Sequence, residues 1–274
     1  MKFQSTQIWE LIENVVNNPE RQIVNRLDKE LQARKLVNSR SQAESYIKLG
    51  LVRVNGKTTT KSSFGVSESD KLAVEGQQYV SRAALKLASI AEQFKLDFRN
   101  KTVLDVGSST GGFTDYALQH GAVKVIAVDV GTEQLHPSLR SDTRIELYEK
   151  TDIRELELRG VEGREQSTKV MLESAPDIIV ADVSFISLRN VLPHVSSLMT
   201  HNSVLVAMCK PQFEEGKEQI NKGIIKNSSI RRKILSDFEN WLIQNKFIIL
   251  DKADSHVSGT KGNTERFYKL KTRV

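Results

Sequence analysis

Residues 102–118 read TVLDVGSSTGGFTDYAL, and this stretch decides the fold of the larger part of the chain. An apolar run is followed by glycines and small hydroxyl residues, and apolar residues then return at helical spacing. This order predicts a strand, a tight loop and a helix. Such a loop at the carboxyl end of a strand lets a ligand approach the backbone closely, beside a helix N-terminus.

Beyond residue 100, runs typical of strands alternate with helical stretches. The predicted strands are TVLDVG, VKVIAVDV, RIELYE, DIIVADVS, SVLVAMC, FIILDKAD and RFYKLK. The alternation predicts a parallel sheet covered by helices. The last two strands, near 247–254 and 265–271, are separated by too few residues for a crossover helix, so they must pair antiparallel. A seventh, antiparallel strand departs from dinucleotide-binding sheets and is similar to the Rossmann-like α/β fold of S-adenosylmethionine-dependent methyltransferases.

Three classes of ligand compete for the glycine loop. A mononucleotide P-loop needs Lys and Ser or Thr after its glycines, but Phe113 stands there. A dinucleotide fingerprint needs glycine where Ser109 stands. A methyltransferase loop needs an acidic residue at the strand end and small residues along the methionine portion of the cofactor, and Asp105, Gly107 and Gly111 meet that need. A tight turn without a ligand stays open from this stretch alone.

The next two strands add acidic residues at their carboxyl ends. Asp129 is placed to accept hydrogen bonds from two ribose hydroxyls, as in nicotinamide enzymes and in methyltransferases. Asp152 resembles the position that contacts the adenine amino group, although a helix N-cap explains it equally well. The candidate cofactor-binding residues are Asp105, Gly107, Ser108, Ser109, Thr110, Gly111, Gly112, Phe113, Asp129, Val130, Asp152 and Ile153.

Four charged residues lie near predicted strand ends. Lys86 precedes the first strand in SRAALKL, and Asp182 and Lys210 follow the fourth and fifth. Glu265 leads into the last strand in GNTERFY. Because strand ends converge at one edge of such a sheet, we expect these two positive and two negative groups to meet beside the glycine loop. Each one alone could be a surface charge, but an unpaired charge after a long apolar strand would be costly.

Composition indicates an ordinary globular protein. The chain has 274 residues with 39% hydrophobic and 27% charged residues, which favours one large domain or two. The net charge is +6. Residues 21–86 contain 13 Lys and Arg against 6 Asp and Glu, so the positive charge is concentrated in one segment. Such a segment is the electrostatic footprint of a polyanion-binding protein, although a solvated face would carry the same charges.

Several classes of protein are disfavoured. Cys209 is the only cysteine, so the chain forms no intrachain disulfide and no multi-cysteine zinc site. The five histidines lack ligand spacing, and we expect no structural metal. No run approaches the ~20 apolar residues that span a bilayer, and the N-terminus lacks the pattern of a signal peptide. The sequence therefore predicts a cytoplasmic protein without a membrane partner, and it leaves the oligomeric state open.

The N-terminal quarter predicts a helical extension followed by a small module. Apolar residues at helical spacing between Ile8 and Val16 predict a short amphipathic helix. A helix from Leu27 to about Arg34 follows. A second helix begins at Ser39, which has capping-box spacing with Gln42. The run LVRVNGK then predicts a strand and an Asn-Gly hairpin turn. Two small helices and a short sheet result.

The segment RLDKELQARKLVNSRSQAESYIKLGLVRVNGK resembles the RNA-binding domain named after the S-four protein of the small ribosomal subunit. The leading Arg-Leu-Asp, the central Ser-Arg-Ser-Gln-Ala and the closing Val-Asn-Gly-Lys carry the resemblance. It implies that the basic residues of this segment bind RNA. The candidate RNA-binding residues are Arg26, Lys29, Arg34, Lys35, Arg40, Lys48, Arg53 and Arg82.

The four charged residues closely resemble the Lys-Asp-Lys-Glu tetrad of FtsJ-like ribose methyltransferases. With the S-four-like module ahead of them, they resemble the TlyA family of ribosomal RNA cytidine 2′-O-methyltransferases, whose members are often labelled hemolysins. The resemblance implies S-adenosylmethionine as cofactor and ribosomal RNA or ribosomal subunits as partners. It also implies that Lys86, Asp182, Lys210 and Glu265 are catalytic, with Lys210 accepting a proton and Asp182 orienting it.

The resemblance divides the chain into an extension over residues 1–24, an S-four-like domain over 25–76, a linker over 77–82 and a methyltransferase domain over 83–274. The extension lies outside the resemblance, and the linker lacks the Trp found in some members. Two other functions were weighed. A membrane-active hemolysin would need a basic amphipathic segment or a long apolar run, and the sequence has neither. A non-catalytic ribosome-binding factor would keep the fold without the reaction.

Overall fold

The computed structural model describes residues 25–37, 39–75, 79–159, 170–214, 224–225, 227–257, 259 and 262–273. The chain divides into two compact units, Met1–Gln77 and Gln78–Val274. The predicted helix within residues 1–24 and the start of the predicted linker lie outside the described residues. The finer division into extension, domain and linker therefore stays a proposal.

The described part of the first unit contains the two predicted helices, α1 (Leu27–Ala33) and α2 (Arg40–Lys48). Its strands are β1 (Asn25–Arg26), β2 (Val52–Val54), β3 (Lys57–Thr58), β4 (Gly65–Val66) and β5 (Leu72–Val74). They form a sheet of order β3-β2-β5 and a separate pair of β1 with β4, all antiparallel. The small α+β module predicted from the sequence is confirmed.

Two local signals of the sequence determine this module. Ser39 caps α2, since its hydroxyl accepts a hydrogen bond from the Gln42 backbone N–H at 3.2 Å. Asn55 and Gly56 join β2 to β3 with φ of 52° and 81°, the left-handed conformations that a two-residue hairpin turn requires.

A buried carboxylate organises the beginning of both helices. Asp28 lies in α1 without solvent exposure, and it accepts hydrogen bonds from Arg26 at 2.9 Å and Arg40 at 2.7 Å. Burial alone would raise the pKa of Asp28, but the two guanidinium groups outweigh it and lower that pKa to about 2. Two of the cations predicted to bind RNA thus also hold the unit together.

The second unit is built on a seven-stranded sheet of order β13-β14-β12-β11-β6-β7-β8, counted over its described residues. The strands are β6 (Thr102–Val106), β7 (Lys124–Val128), β8 (Ile145–Tyr148), β11 (Ile178–Ala181), β12 (Val204–Cys209), β13 (Phe247–Asp254) and β14 (Arg266–Thr272). β14 runs antiparallel to both of its neighbours, and the other pairs are parallel. The predicted methyltransferase-type fold is confirmed.

Helices cover this sheet, and its central strands β11 and β12 are apolar without interruption. Consecutive residues of β11 and β12 are buried, so both faces of the sheet are shielded from water. A further parallel pair is formed by β9 (Leu156–Leu158) and β10 (Val170–Leu172). The helices of this unit are α3 (Arg82–Ala91), α4 (Gly112–Gln119), α5 (Pro137–Arg140), α6 (Leu192–Ser197), α7 (Pro211–Glu214) and α8 (Ser228–Gln244).

The strand order reverses at β6. From β6 the chain proceeds to β7 and β8 on one side, and it then crosses to β11 and β12 on the other. In open α/β sheets, the crevice outside the carboxyl ends of the strands at such a reversal is where ligands bind. The glycine loop follows β6 and therefore lies at this crevice.

Asp105 on β6 is the buried carboxyl group nearest to that loop in sequence. Its side chain is 1% exposed, and Oδ2 accepts a hydrogen bond from Thr114 Oγ1 at 2.7 Å. Burial raises the pKa of Asp105 to about 7. The effect of burial is larger than the opposing effect of the hydrogen bond from Thr114. Folding therefore favours the neutral carboxyl group.

This pKa predicts a pH-dependent effect of Asp105→Asn on stability. A typical Asp in an unfolded chain titrates near ~3.9, so wild-type folding loses free energy as the pH rises from about 4 to 7. Asparagine removes that loss and keeps an acceptor for Thr114. The melting temperature of the variant minus that of wild type should therefore be several degrees larger at pH 8 than at pH 5. A change of about 1 kcal/mol in the free energy of unfolding corresponds to roughly 2–4 °C.

Thermal unfolding of both proteins across this range checks the prediction. Asp237→Asn makes the same chemical change on the exposed face of α8, and it should alter the melting temperature little at either pH. An equal difference between Asp105→Asn and wild type at pH 5 and pH 8 would contradict the raised pKa.

Candidate active site

Three strand ends place charged residues at the carboxyl edge of the sheet. Lys210 directly follows β12, and Asp182 directly follows β11. Their side chains form an ion pair, with Lys210 Nζ at 2.6 Å from Asp182 Oδ1. The register of β12 against β14 pairs Cys209 with Arg266, so Glu265 lies beside Lys210 on the neighbouring strand. The antiparallel last strand therefore carries its first residues to the edge where the parallel strands end.

Lys86 completes this cluster from helix α3. Its Nζ lies 2.7 Å from Glu265 Oε2, and the two side chains are 11% and 3% exposed. The four predicted catalytic residues thus form two ion pairs, each buried for the most part. Pairing removes most of the free energy that burying single charges would cost.

The glycine loop approaches this cluster because Gly107 has no side chain. Its φ is 81°, and an added Cβ atom would lie 2.9 Å from the backbone oxygen of Asp182. Gly111 has a φ of 88°, and its Cβ would collide with side chains of Leu135 and Leu139. Gly112 opens α4, where a Cβ would lie 2.7 Å from Cβ of Ala83. These glycines permit close packing of the loop against three neighbouring segments.

Asp129 fixes the other side of the loop. Its Oδ2 accepts a hydrogen bond from the Ser109 N–H at 2.8 Å, and its Oδ1 accepts one from the Gly131 N–H at 2.7 Å. Each carboxylate oxygen has a second lone-pair site, so Asp129 can still accept hydrogen bonds from a ligand. Val130 beside it is 72% exposed.

Two cavities adjoin the loop. The larger has a volume of 370 Å³, and it is lined by predicted cofactor-binding residues, namely Gly107, Ser109, Asp129, Val130, Asp152 and Ile153. The smaller has a volume of 120 Å³, and its lining includes Asp105, Ser108, Thr110, Phe113, Asp182 and Lys210. Both cavities are lined by Gly107, Ser109, Asp182 and Ser184, so they form one crevice. Gly111 and Gly112 are not among the lining residues, and their part in the site is packing.

The smaller cavity contains polar groups without partners. Among the described residues, Asp105 Oδ1 and Ser108 Oγ are buried and have no hydrogen-bond partner. Buried polar atoms are almost always satisfied, so these two atoms are available for hydrogen bonds with a polar ligand. A carboxyl oxygen and a hydroxyl suit a ligand that can donate hydrogen bonds.

Asp152 is an N-cap residue that also lines the larger cavity, and its contact with adenine stays a prediction. It caps the 3₁₀ turn Ile153–Glu155, accepting the Arg154 N–H at 2.9 Å, and it also lines the larger cavity. The hydrogen bonds from the Arg154 guanidinium lower the pKa of Asp152, so this carboxylate stays ionised.

Arg34, a predicted RNA-binding residue, makes three hydrogen bonds within its own unit. The Arg34 guanidinium bonds to Glu30 at 2.8 Å and to the carbonyl oxygens of Asp70 and Ser67 at 2.7 and 2.9 Å. Three fixed acceptors leave little of Arg34 for a ligand. Its observed role is to tie α1 to the segment between β4 and β5.

The other predicted RNA-binding residues are at least partly accessible. Arg53 pairs with the exposed Glu75 at 2.7 Å. Lys29, Lys35 and Lys48 are exposed. Arg82 is the first residue of α3 and thus belongs to the second unit.

Ser184 and Phe185 are among the crevice residues that were not predicted from the sequence. Ser184 Oγ lies 2.5 Å from Lys210 Nζ, and Ser184 lines both cavities. Phe185 lines the larger cavity, is 91% exposed and has a φ of 66°. Both follow Asp182 within three residues, so the rule that strand ends converge already pointed to them.

The described part of the chain contains neither a cluster of metal ligands nor a helix that could span a membrane. No group of three or more His, Cys, Asp or Glu side chains there is arranged to hold a metal ion. No described helix is both long enough and apolar enough to cross a bilayer.

Comparison with known proteins matches both units. The FtsJ-like methyltransferase family matches residues 79–272, and the S4 domain matches residues 25–72. The crevice and the two ion pairs lie in the first of these ranges, and the cation cluster around Asp28 lies in the second.

Individual relatives match over most of the chain. The "16S/23S rRNA (cytidine-2′-O)-methyltransferase TlyA" of Mycobacterium tuberculosis is 35% identical over 253 residues, which are 91% of this chain and 90% of that protein. "Hemolysin A" of Brachyspira hyodysenteriae is 35% identical over 88% of this chain and 97% of its own length. A solved structure described as a hemolysin from Streptococcus thermophilus is 35% identical with a TM-score of 0.63, covering 91% of this chain and 88% of that one. The chain is therefore a member of the FtsJ-like methyltransferase family, in its TlyA branch, and carries an S4 domain ahead of the methyltransferase domain.

Proposed function

We propose that this protein transfers a methyl group from S-adenosylmethionine to the 2′-hydroxyl of a cytidine in ribosomal RNA. The observation that carries the proposal is the pair of buried ion pairs, Lys86 with Glu265 and Asp182 with Lys210, beside the glycine-loop crevice. The printed activity of the TlyA relative supports ribosomal RNA and cytidine as the substrate. A ribosomal substrate implies a cytoplasmic location.

The crevice fits the proposed cofactor in two parts. The 370 Å³ cavity is of a size that suits a nucleoside, with Asp129 for the ribose hydroxyls and Asp152 and Ile153 for the adenine. In the smaller cavity, Asp105 Oδ1 and Ser108 Oγ would accept hydrogen bonds from the ammonium of the methionine portion. When bound, the cofactor supplies a methyl group on a positively charged sulfur, and its S–C bond breaks as the new O–C bond forms.

Lys210 is proposed to take the proton of the ribose hydroxyl. The ammonium of the ion pair must first release one proton to solvent. The neutral amine, in contact with the smaller cavity, then accepts the proton of the ribose hydroxyl and becomes an ammonium again, whose charge Asp182 at 2.6 Å stabilises. Lys86 lies on helix α3, and Glu265 directly precedes strand β14. These two side chains would hold the ribose in place. A positioned general base contributes about 10²–10⁴-fold to such a reaction.

The first unit is proposed to bind ribosomal RNA electrostatically. It matches the S4 domain, and Lys29, Lys35 and Lys48 present exposed charges on and beside its two helices. Such lysines contact phosphates as mobile point charges. Arg26 and Arg40 are about half exposed although they bind Asp28, so they can contribute as well.

Gly107→Ala tests the cofactor site. The added methyl group would strain a left-handed residue and press on the Asp182 carbonyl oxygen, which moves the loop away from the crevice. Calorimetry should show S-adenosylmethionine affinity reduced about tenfold or more. Gly56→Ala is a matched control, since Gly56 has the same φ of 81° but no atom within 4 Å of an added Cβ. It should leave cofactor affinity unchanged. Wild-type affinity in Gly107→Ala would contradict the assignment of the loop.

Lys210→Ala should lower the single-turnover rate of methyl transfer to ribosomal RNA by about a hundredfold or more. Cofactor affinity should change little. Lys210→Arg is the sharper variant, because guanidinium keeps the positive charge but does not deprotonate in proteins. It should be nearly as inactive as the alanine variant. Lys252→Ala, which removes an exposed lysine paired with Glu239, serves as the control and should transfer at the wild-type rate. A wild-type rate in Lys210→Arg would exclude Lys210 as the proton acceptor.

The proposed RNA contacts predict a change in salt dependence. Replacing Lys29, Lys35 and Lys48 together by Gln should weaken RNA binding and reduce the slope of log affinity against log salt by about 2, at roughly 0.7–0.9 for each lost phosphate contact. The control removes equal charge elsewhere, by replacing the ion-paired Lys101 and Lys124 together with Lys252. Its slope should change much less. Equal slopes for the two triple variants, measured by filter binding, would show that the first unit is not the RNA-binding surface.

A further inference from the structure

The loop after β11 and the segment after β12 are fastened together at successive points. We call residues 182–188 the strand-end loop and residues 210–214 the lysine segment. At the first point, Asp182 and Ser184 of the loop contact Nζ of Lys210 at 2.6 and 2.5 Å. At the second, the rings of Phe185 and Phe213 lie with centroids 5.4 Å apart.

The third point is a buried carboxylate. Glu214 ends α7, and its side chain is 1% exposed. Its Oε2 accepts a hydrogen bond from Ser187 Oγ at 2.5 Å, and its Oε1 accepts one from the Leu188 N–H at 2.8 Å. The Arg189 guanidinium lies 3.7 Å away. Burial raises the pKa of Glu214, and the hydrogen bonds from Ser187 and Leu188 oppose that effect.

The strand-end loop needs this support. Phe185 has a φ of 66° although it carries a bulky side chain, and that side chain is 91% exposed. A bulky non-glycine residue in this conformation is strained, and it persists where the surrounding structure determines it. Because the Phe185 ring is 91% exposed, its contact with Phe213 supplies only part of that constraint. The hydrogen bonds to Glu214, just beyond Phe185, supply a fixed point.

We propose that Glu214 is a positioning residue for methyl transfer, which acts by holding the strand-end loop so that Asp182 and Ser184 orient the amine of Lys210. The inference rests on the proposed function of Lys210. A lysine amine sits on a flexible four-carbon stem and has three rotatable positions for protons. Two fixed oxygen partners leave one position for the substrate, and a misplacement of about 1 Å can cost about a hundredfold in rate.

Glu214→Gln and Ser184→Ala in the full chain test this assignment. Each should lower the single-turnover rate at saturating cofactor by about tenfold or more, with cofactor affinity within about twofold of wild type. Glu239→Gln is the matched control, because Glu239 is also a carboxylate that accepts a hydrogen bond from a hydroxyl, that of Tyr268, but its other partner is Lys252 and it makes no hydrogen bond to the strand-end loop. It should keep the wild-type rate.

A double-variant comparison separates positioning from general support of the fold. In a Lys210→Ala background, adding Glu214→Gln should change the residual rate by less than about twofold, because its effect acts through the lysine. A further loss of tenfold in that background would overturn the proposal. Amide hydrogen exchange supplies a readout that does not depend on activity, and residues 183–189 should exchange faster in Glu214→Gln than in wild type.

If Glu214→Gln does not fold, Ser187→Ala replaces it, since this change removes one of the two hydrogen bonds and leaves the carboxylate bound to Leu188. It should show a smaller loss in the same direction, and a wild-type rate would overturn the proposal. Wild-type protein that transfers no methyl group to ribosomal RNA would instead refute the proposed function. Unchanged exchange in Glu214→Gln would overturn the positioning role whatever the activity.

Discussion

The ion pair between Asp182 and Lys210 is the interaction on which the rest of the site depends. Each residue follows a strand that is buried on both faces, where a single charge would be expensive. The two strands are neighbours, so their carboxyl ends deliver the charges to within 2.6 Å of each other. Gly107 is confined to glycine because the loop after β6 passes against the Asp182 backbone. The cavities on either side form around this contact.

The antiparallel last strand is what completes the site. Inserted between β12 and β13, it brings Glu265 to the edge where parallel strands end, and there Glu265 meets Lys86 from α3. In the first unit a buried charge is also paired. One buried carboxylate, Asp28, accepts hydrogen bonds from two arginines, Arg26 and Arg40. The described unit therefore has two kinds of cationic residue. Arginines such as Arg26 and Arg40 have structural partners, and lysines such as Lys29 are exposed.

Much of this could be predicted because the signals are local. Buried parallel strands appear as uninterrupted apolar runs, and the Asn-Gly turn and the Ser39 cap depend on residues within a few positions of each other. The contacts that escaped prediction join residues far apart in sequence. Arg34 binds carbonyl oxygens 33 and 36 residues away, and Glu214 binds Ser187 at a separation of 27. No composition or spacing indicates which buried polar groups will find each other over such distances.

Methylation of ribose in ribosomal RNA can be measured by incubating the purified chain with ribosomal RNA and isotopically labelled S-adenosylmethionine. The RNA is then digested to nucleosides, and the labelled product is identified by mass spectrometry. Label is expected in 2′-O-methylcytidine, with about a hundredfold less in the same reaction time when Lys210→Ala replaces the wild type. Label on a nucleobase, or equal labelling by the two proteins, would contradict this expectation.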